Sequence, residues 1–147
     1  MIRDLEPADV AECVEIVRLN WGDGVADRFS DEVSHAFNNT MRWPPQYFVY
    51  DEPKTNKILG FAGMIPSWVM HGVWDFIWIN VAEEARGQNI GLQLTTFRIS
   101  EVTRQSGKVI NLMTQAPGFF SKLGFESTHT YHGGWKSMTL QLRELNL

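Results

Sequence analysis

Residues 73–92 read VWDFIWINVAEEARGQNIGL, an apolar run that passes into a glycine-containing turn. The first half of this stretch has apolar side chains at both odd and even positions, which is typical of a strand covered on both faces of a sheet. Gly87 and Gly91 mark a turn, and the apolar spacing that begins at Ile90 predicts a helix extending to about Ser106. The stretch therefore predicts a central strand followed directly by a long helix.

The turn between this strand and this helix has features of an anion-binding site. The first turn of a helix presents unpaired N–H groups and the positive end of the helix dipole. When the loop before the helix lets a ligand come close to the backbone, the first helical turn suits a pyrophosphate group. Gly87 and Gly91 remove side chains where a phosphate needs room, and Arg86 adds a cation. A strand-to-helix turn without a ligand explains the same glycine spacing, so the glycines alone leave both interpretations open.

The rest of the chain predicts further strands and helices in alternation. Helices are predicted after Pro7, over residues 29–41 and over residues 116–123. Strands are predicted at residues 1–5, 46–50, 57–65, 109–114, 125–132 and 135–142. A strand meander followed by a strand–helix–strand unit indicates an α/β (α+β) fold with helices on both faces of the sheet. The length of 147 residues suits one domain spanning residues 1–147.

Composition argues against several classes of protein. The net charge is -4 without a dense Lys/Arg cluster, which argues against a nucleic-acid partner. No apolar run approaches the roughly 20 residues of a membrane-spanning helix, so no membrane partner is expected. The single cysteine, Cys13, cannot form an internal disulfide, which predicts a cytoplasmic location. No cluster of His, Cys and acidic residues has ligand spacing, so no metal site is predicted.

Two segments resemble those of a known enzyme family. Residues 81–92 resemble the acetyl-CoA-binding segment of the GNAT superfamily, in which Arg or Gln, two residues, Gly, one residue and Gly or Ala open a helix. Arg86 and Gly91 match this pattern, whereas Asn89 stands where the middle glycine is usual. Asparagine is the non-glycine residue that best tolerates a left-handed backbone. Residues 116–125, APGFFSKLGF, resemble the short fourth helix of the family and its Leu-Gly-Phe-like turn.

The resemblance implies both a fold and an activity. The implied fold is a GNAT-like central mixed, mostly antiparallel sheet of about seven strands with helices on both faces. The implied activity is transfer of the acetyl group of acetyl-CoA to a primary amine of a small molecule, peptide or protein, and a homodimer is expected by the same analogy. The implied cofactor-binding residues are Ile79, Asn80, Val81, Arg86, Gly87, Gln88, Asn89, Ile90, Gly91, Leu92, Phe119 and Phe120.

The resemblance also raises the question of which group moves the proton. Many GNAT members place a Tyr in the fourth helix to protonate the leaving thiolate, but this chain has Phe120, which cannot give a proton. The histone-acetyltransferase branch shares a Phe there and uses a glutamate in the fourth strand, whose equivalent here is Asp75. Flanking Trp74 and Phe76 should desolvate its carboxylate and raise its pKa, which makes it a better base. Asp75 is therefore the predicted catalytic base, and an Asp75 that only accepts hydrogen bonds from neighbouring segments is the alternative.

Three functional interpretations follow from these patterns. The first is an acetyl-CoA-dependent N-acetyltransferase. The second is a non-catalytic acyl-CoA-binding regulatory module on the same fold, which Phe120 and Asn89 keep open. The third is a structural or partner-binding protein without a coenzyme A site. The acceptor pocket is undefined, and its candidate lining residues are Trp21, Trp43, Trp68 and Trp135.

Overall fold

A computed structural model describes residues 1–38 and 42–142 of the chain. The strands are β1 (Ile2–Asp4), β2 (Gln46–Asp51), β3 (Ile58–Pro66), β4 (Val73–Val81), β5 (Val109–Thr114), β6 (Glu126–Thr130) and β7 (Lys136–Gln141). The helices are α1 (Val10–Trp21), α2 (Asp23–Val33), α3 (Ile90–Arg104) and α4 (Pro117–Ser121). Short 3-10 turns lie at Pro7–Asp9, Ser34–Phe37, Glu83–Ala85 and His132–Gly134.

Within the described residues, the strands form one seven-stranded sheet in the order β1-β2-β3-β4-β5-β7-β6. β4 and β5 run parallel, whereas β2 is antiparallel to both β1 and β3, and β7 is antiparallel to both β5 and β6. The sheet is therefore mixed and mostly antiparallel, as the sequence predicts. In the same ranges of the chain, no helix combines the length and the apolar character needed to span a membrane.

The described chain divides into two compact units. The first unit comprises Met1–Ile65 and Ile77–Arg98. The second comprises Pro66–Phe76 and the residues from Ile99 to residue 142. Each unit contains part of β4 and part of α3.

Helices cover both faces of the sheet in the first unit. Tyr47 and Phe48 are consecutive residues of β2, so their side chains point to opposite faces. On one face the Tyr47 ring lies 6.0 Å from the ring of Phe29 in α2, measured between centroids. On the other face the Phe48 ring lies 4.9 Å from the ring of Phe97 in α3. The predicted arrangement of helices on both faces is thus present in this unit.

A glycine in β3 lets the start of α3 approach the sheet. A Cβ atom added to Gly60 would lie 3.0 Å from the Asn80 carbonyl oxygen and 3.1 Å from Cγ2 of Ile90. The end of β4 is also fixed, because the amide of Ala82 donates to the carbonyl of Leu59 over 2.8 Å. These contacts set the position of the turn that joins β4 to α3.

The sequence predicts that the second helix starts at residue 29, but in the structure α2 begins at Asp23 and ends at Val33. Residues 39–41 of the predicted helix lie outside the described residues. The α2 sequence, DGVADRFSDEV, has low helix propensity because it is rich in Asp and contains Gly and Ser. Ala26, Phe29 and Val33 nevertheless form one buried face of this helix. Packing of an apolar face outweighs weak intrinsic propensity, which explains the difference.

Cys13 is fully buried in α1, and desolvation raises the pKa of its thiol to about 12. A thiol that stays protonated at neutral pH is a poor nucleophile. Cys13 is therefore a small core residue of α1.

Arg3 joins three segments of the first unit through ion pairs. Its guanidinium contacts both oxygens of Asp9 at 2.7 and 3.0 Å and one oxygen of Asp51 at 2.8 Å. Both carboxylates are buried. The hydrogen bonds from Arg3 hold the pKa of Asp9 below its usual range. The ion pair between Arg3 and Asp9 therefore stabilises the folded state.

Replacement of Arg3 by Met should destabilise the protein by about 2 kcal/mol, because two buried carboxylates lose their cation. The pKa of Asp9 is lower in the folded than in the unfolded chain, so its contribution is complete above the unfolded pKa and is lost as pH falls through the folded pKa. Urea unfolding at pH 7 and pH 3 should therefore show a smaller pH dependence for Arg3→Met than for wild type. The control is Arg104→Met, which removes an exposed i,i+3 pair and should change stability little.

The second unit has one apolar face built on β4, β5 and β7. Trp74, Ile110 and Met138 are buried on this face. Gly107 allows the close contact of α3 with β4, since a Cβ atom there would lie 2.3 Å from Cγ1 of Val102 and 2.9 Å from Cδ1 of Trp74. Trp74, Ile110 and Met138 therefore point into this core, and the residues beside them in each strand point to the other face.

Candidate active site

The turn between β4 and α3 has a backbone shaped for an anion. Gly87 and Asn89 both have left-handed backbones, with φ of 81° and 61°. The amides of residues 87–89 make no hydrogen bond to other described residues, and the first turn of α3 supplies further amides without an intrahelical acceptor. Gly87 faces open space, since an added Cβ atom would have no neighbour within 4 Å. The turn therefore presents a series of free N–H groups at the positive end of a helix.

Asn89 supports the interpretation made for it from the sequence. Its φ of 61° lies in the left-handed region that few residues other than glycine adopt. Its carbonyl oxygen accepts the hydrogen bond from the amide of Gln93 over 2.9 Å, the first bond of α3. Asparagine thus takes the backbone conformation that a glycine usually takes at this place.

Charges around the turn favour an anion. The guanidinium of Arg86 is exposed and donates to the neutral side-chain oxygen of Asn20 over 2.7 Å, so this bond leaves its positive charge uncompensated. Glu84 is paired with Lys57 at 2.9 Å, and that hydrogen bond lowers the pKa of Glu84. The cation is therefore available to a ligand, and one of the two carboxylates before the turn is partly neutralised.

Two residues at the end of α1 hold the end of β4 and Arg86 together. The side-chain amide of Asn20 donates to Oδ1 of Asn80 over 3.1 Å and to the carbonyl of Val81 over 3.2 Å. The indole N–H of Trp21 donates to the same Asn80 oxygen over 3.0 Å. Indole and guanidinium groups only donate, so Trp21 fixes the orientation of the Asn80 amide and Arg86 fixes that of Asn20. We call Asn20, Trp21, Asn80 and Arg86 the amide network.

Trp78 has a left-handed backbone inside β4, with φ of 51°. This conformation is rare for a bulky residue and costs about 1–3 kcal/mol. Three side chains of α2 hold the indole in place. Glu32 accepts its N–H, the Phe29 ring lies 5.1 Å away, and the Arg28 guanidinium lies 5.6 Å from the ring centroid. Such interruptions of a strand are common beside active sites.

Asp75 lies in the part of β4 that belongs to the second unit. It is half-buried, and desolvation raises the pKa of its carboxyl group. Its side chain makes no hydrogen bond within the described part of the chain. A desolvated carboxylate without a protein partner has the properties of a general base.

The remaining predicted site residues lie in α4, also in the second unit. Phe120 is buried and its ring lies 5.6 Å from that of Phe125, whereas Phe119 as a residue is 37% exposed. Phe120 therefore packs as a core residue, and Phe119 offers an accessible apolar surface. Both remain predicted coenzyme A contacts.

The first unit brings most of the predicted coenzyme A residues together. Ile79, Asn80 and Val81 end β4, and residues 86–92 follow after one 3-10 turn. The sequence does not mark Asn20 or Glu32 as site residues, and it indicates Trp21 only for the acceptor pocket. No motif marks them, because their role depends on contacts with residues about 46 to 66 positions away.

A sequence comparison identifies the family. The profile of the acetyltransferase (GNAT) domain matches residues 44–127, which is more than half of the chain. The chain belongs to the GNAT acetyltransferase family. This membership confirms the resemblance found in the sequence, and it rests on a segment that includes both β4 and the turn before α3. No curated protein sequence gives a significant match.

Solved GNAT structures share the fold. A GNAT-family protein from Desulfovibrio desulfuricans has 20% identity and a TM-score of 0.83, covering 96% of this chain and 98% of that one. An aminoglycoside 6'-N-acetyltransferase complexed with coenzyme A has 17% identity and a TM-score of 0.80, covering 99% of both chains. PaiA N-acetyltransferase from Thermoplasma acidophilum, also in complex with coenzyme A, has 13% identity and a TM-score of 0.75, covering 97% and 98%. These similarities establish the GNAT fold, and two of the three relatives are coenzyme A complexes.

Proposed function

We propose that the protein is an N-acetyltransferase that moves the acetyl group of acetyl-CoA to a primary amine of a small molecule, peptide or protein. The observation that carries the proposal is the turn before α3, where free amides, two left-handed residues and the Arg86 cation lie together. This combination suits the diphosphate of coenzyme A. Membership of the GNAT family and the coenzyme A bound to two relatives support the same assignment.

The chemistry requires a neutral amine, because a protonated amine has no lone pair for attack. In the proposed reaction Asp75 accepts the proton, the amine nitrogen bonds to the thioester carbonyl carbon, and the C–S bond breaks to release the coenzyme A thiolate. The backbone of Ile79–Val81 orients the acetyl and pantetheine part. Phe120 cannot protonate the thiolate, so in this proposal the thiolate leaves as an anion or takes its proton from solvent.

Two measurements test the proposal. Calorimetric titration with coenzyme A should show saturable binding, and acetyl-CoA should release free thiol in the presence of a suitable amine. The amine panel should include aminoglycosides, the acceptors named for one relative, together with polyamines and peptides. Saturable binding without thiol release for any amine would favour a non-catalytic acyl-CoA-binding module, which Phe120 in place of the usual Tyr makes the second candidate. Absence of binding would refute both.

The amide network leads to a prediction about coenzyme A affinity. Arg86→Ala should weaken binding about tenfold, because a charge-assisted contact with the diphosphate is lost. Asn20→Ala should weaken binding about threefold to tenfold, because the Arg86 side chain loses the partner that orients it. In the Arg86→Ala background, Asn20→Ala should add almost nothing. Calorimetry on the four proteins measures this coupling.

A matched control separates the network from general effects of charge. Arg104→Ala removes an arginine whose partner, Glu101, lies one helical turn away in α3, and it should leave the affinity unchanged. Additive losses in the double variant would mean that Asn20 acts independently of Arg86, in contradiction to the proposed role of the network.

A further inference from the structure

Tyr47 carries a buried hydroxyl group that has no hydrogen-bond partner among the described residues. The residue is 4% exposed. Burial, together with the nearby Glu32 carboxylate, raises the pKa of the phenol, which therefore stays protonated at neutral pH. A buried polar group without a partner destabilises the folded state. Such a group is expected where a ligand uses it, because activity can offset a loss of stability.

Gly63 of β3 lets the Tyr47 ring lie across the sheet towards β4. Tyr47 and Gly63 are cross-strand partners. A Cβ atom added to Gly63 would lie 2.6 Å from Cε1 of Tyr47 and 2.9 Å from Cγ1 of Ile77. A side chain at this position would therefore displace the ring. The ring of a β2 residue is thus placed beside β4, where Ile77 precedes the left-handed Trp78.

Glu32 links Tyr47 to the irregular part of β4. Its Oε2 atom accepts the indole N–H of Trp78, whereas its Oε1 atom makes no hydrogen bond to a described residue. Phe29 packs against both aromatic residues, with its ring 6.0 Å from that of Tyr47 and 5.1 Å from that of Trp78. Glu32 is exposed and stands next to the last residue of α2. A carboxylate that solvent reaches therefore lies near a buried phenol.

Tyr47 and Glu32 lie on the face of the sheet opposite to α3. Tyr47 packs towards α2, whereas its neighbour Phe48 packs towards α3. The diphosphate of coenzyme A is proposed to bind at the start of α3, and residues 79–81, proposed to orient the acetyl group, directly follow Trp78. An amine has to approach the thioester from a side that the coenzyme leaves free. The α2 face, with Tyr47 and Glu32, is such a side.

We propose that Tyr47 and Glu32 bind the ammonium group of the acceptor and determine its affinity. This inference rests on the proposed function and adds the residues that recognise its amine. Oε1 of Glu32 accepts one N–H and the hydroxyl oxygen of Tyr47 accepts another, so the pair fits a charged amine with at least two N–H groups. The exposed Glu32 meets the ammonium first, and a shift of the Trp78 indole then gives access to the hydroxyl of Tyr47.

Tyr47→Phe removes only the hydroxyl group. With the panel amine that releases thiol fastest, KM should rise about tenfold, because a hydrogen bond to a charged group is lost, while kcat should change less than about twofold. Glu32→Gln should raise KM by a similar factor, since the amide oxygen still accepts the Trp78 N–H but the charge is gone. Calorimetry should give wild-type coenzyme A affinity for both variants. Unchanged KM in either variant would overturn the proposal and leave the proposed function intact.

A stability measurement separates this role from a structural one. Tyr47→Phe should have a Tm no lower than wild type, and up to about 8 °C higher, because it removes an unpaired hydroxyl from the core. A lower Tm would show that the hydroxyl already has a partner in the folded chain and would overturn the proposal. The matched control is Tyr50→Phe in the same strand, whose half-buried side chain points to the opposite face. It should leave KM for the amine unchanged.

Failure of the proposed function would give a different result, because no amine of the panel would then release thiol from acetyl-CoA. Amine binding is in that case followed by fluorine NMR of protein labelled with fluorotyrosine. The chain has three tyrosines, and the Tyr47 signal is assigned by its loss in Tyr47→Phe. A saturable shift of this signal with n-butylamine and not with n-butanol would support the pair as an amine site. An equal shift with both compounds, or no shift with n-butylamine, would overturn it.

Discussion

Asp75→Asn is expected to slow acetylation about a hundredfold or more while coenzyme A binds with unchanged affinity. A positioned general base contributes about 10²- to 10⁴-fold to a rate. The asparagine keeps nearly the same size and polarity but cannot accept the proton of the attacking amine. Coenzyme A affinity should be unaffected, because the free amides and Arg86 that are proposed to bind it are unchanged.

The pH dependence provides a second readout for Asp75. Desolvation raises the pKa of its carboxyl group, and the group acts as a base only when it is ionised. In wild type, kcat/KM should therefore fall as pH decreases through this raised pKa. In Asp75→Asn the part of the fall that belongs to Asp75 should disappear, leaving only the titration of the amine itself.

The control for this experiment is Asp27→Asn, which removes a carboxylate from an exposed position in α2. It matches the charge change and should leave both the rate and its pH dependence unaltered. An Asp75→Asn variant with wild-type turnover would remove Asp75 from the mechanism.

Asn89→Val is expected to weaken coenzyme A binding about a hundredfold, or about 2.7 kcal/mol. Asn89 has φ of 61°, and a β-branched residue is strongly disfavoured in this left-handed region. Valine should therefore force the turn into another conformation and displace the free amides of residues 87–89. Calorimetric titration with coenzyme A measures the loss.

Asn89→Gly is the matched variant, because glycine adopts the same left-handed conformation without strain. Its affinity should stay within about threefold of wild type. The comparison separates backbone shape from any contact made by the asparagine side chain. Equal, large losses in both variants would show that the side chain itself binds the ligand, and wild-type affinity in Asn89→Val would contradict the proposed site.

Sequence patterns were sufficient to predict the part of the molecule that depends on local order. The apolar run, the turn and the helix after it predicted β4, the turn and α3 at nearly their observed bounds. These elements follow from side-chain periodicity and from the conformational preferences of glycine and asparagine, which act over a few residues. The two family-like segments then indicated the GNAT fold, which the family comparison confirmed.

Local sequence patterns did not predict the start of α2 correctly. Its Asp-rich sequence has weak helix propensity, so the pattern placed its start at residue 29 instead of Asp23. The burial of Ala26, Phe29 and Val33 against the sheet stabilises a helix that local preferences alone do not favour. This energy becomes available only when distant segments of the chain pack together.

Amino-acid order by itself thus determined the strand, the turn and the helix that form the coenzyme A candidate, together with Asp75 as candidate base. Only the tertiary structure placed Asn20 and Trp21 against Asn80, gave Trp78 its left-handed backbone, and brought the Tyr47 ring against Gly63. The physical reason is that hydrogen-bond geometry and strand register act between residues far apart in the chain, whereas helix and turn preferences act between neighbours.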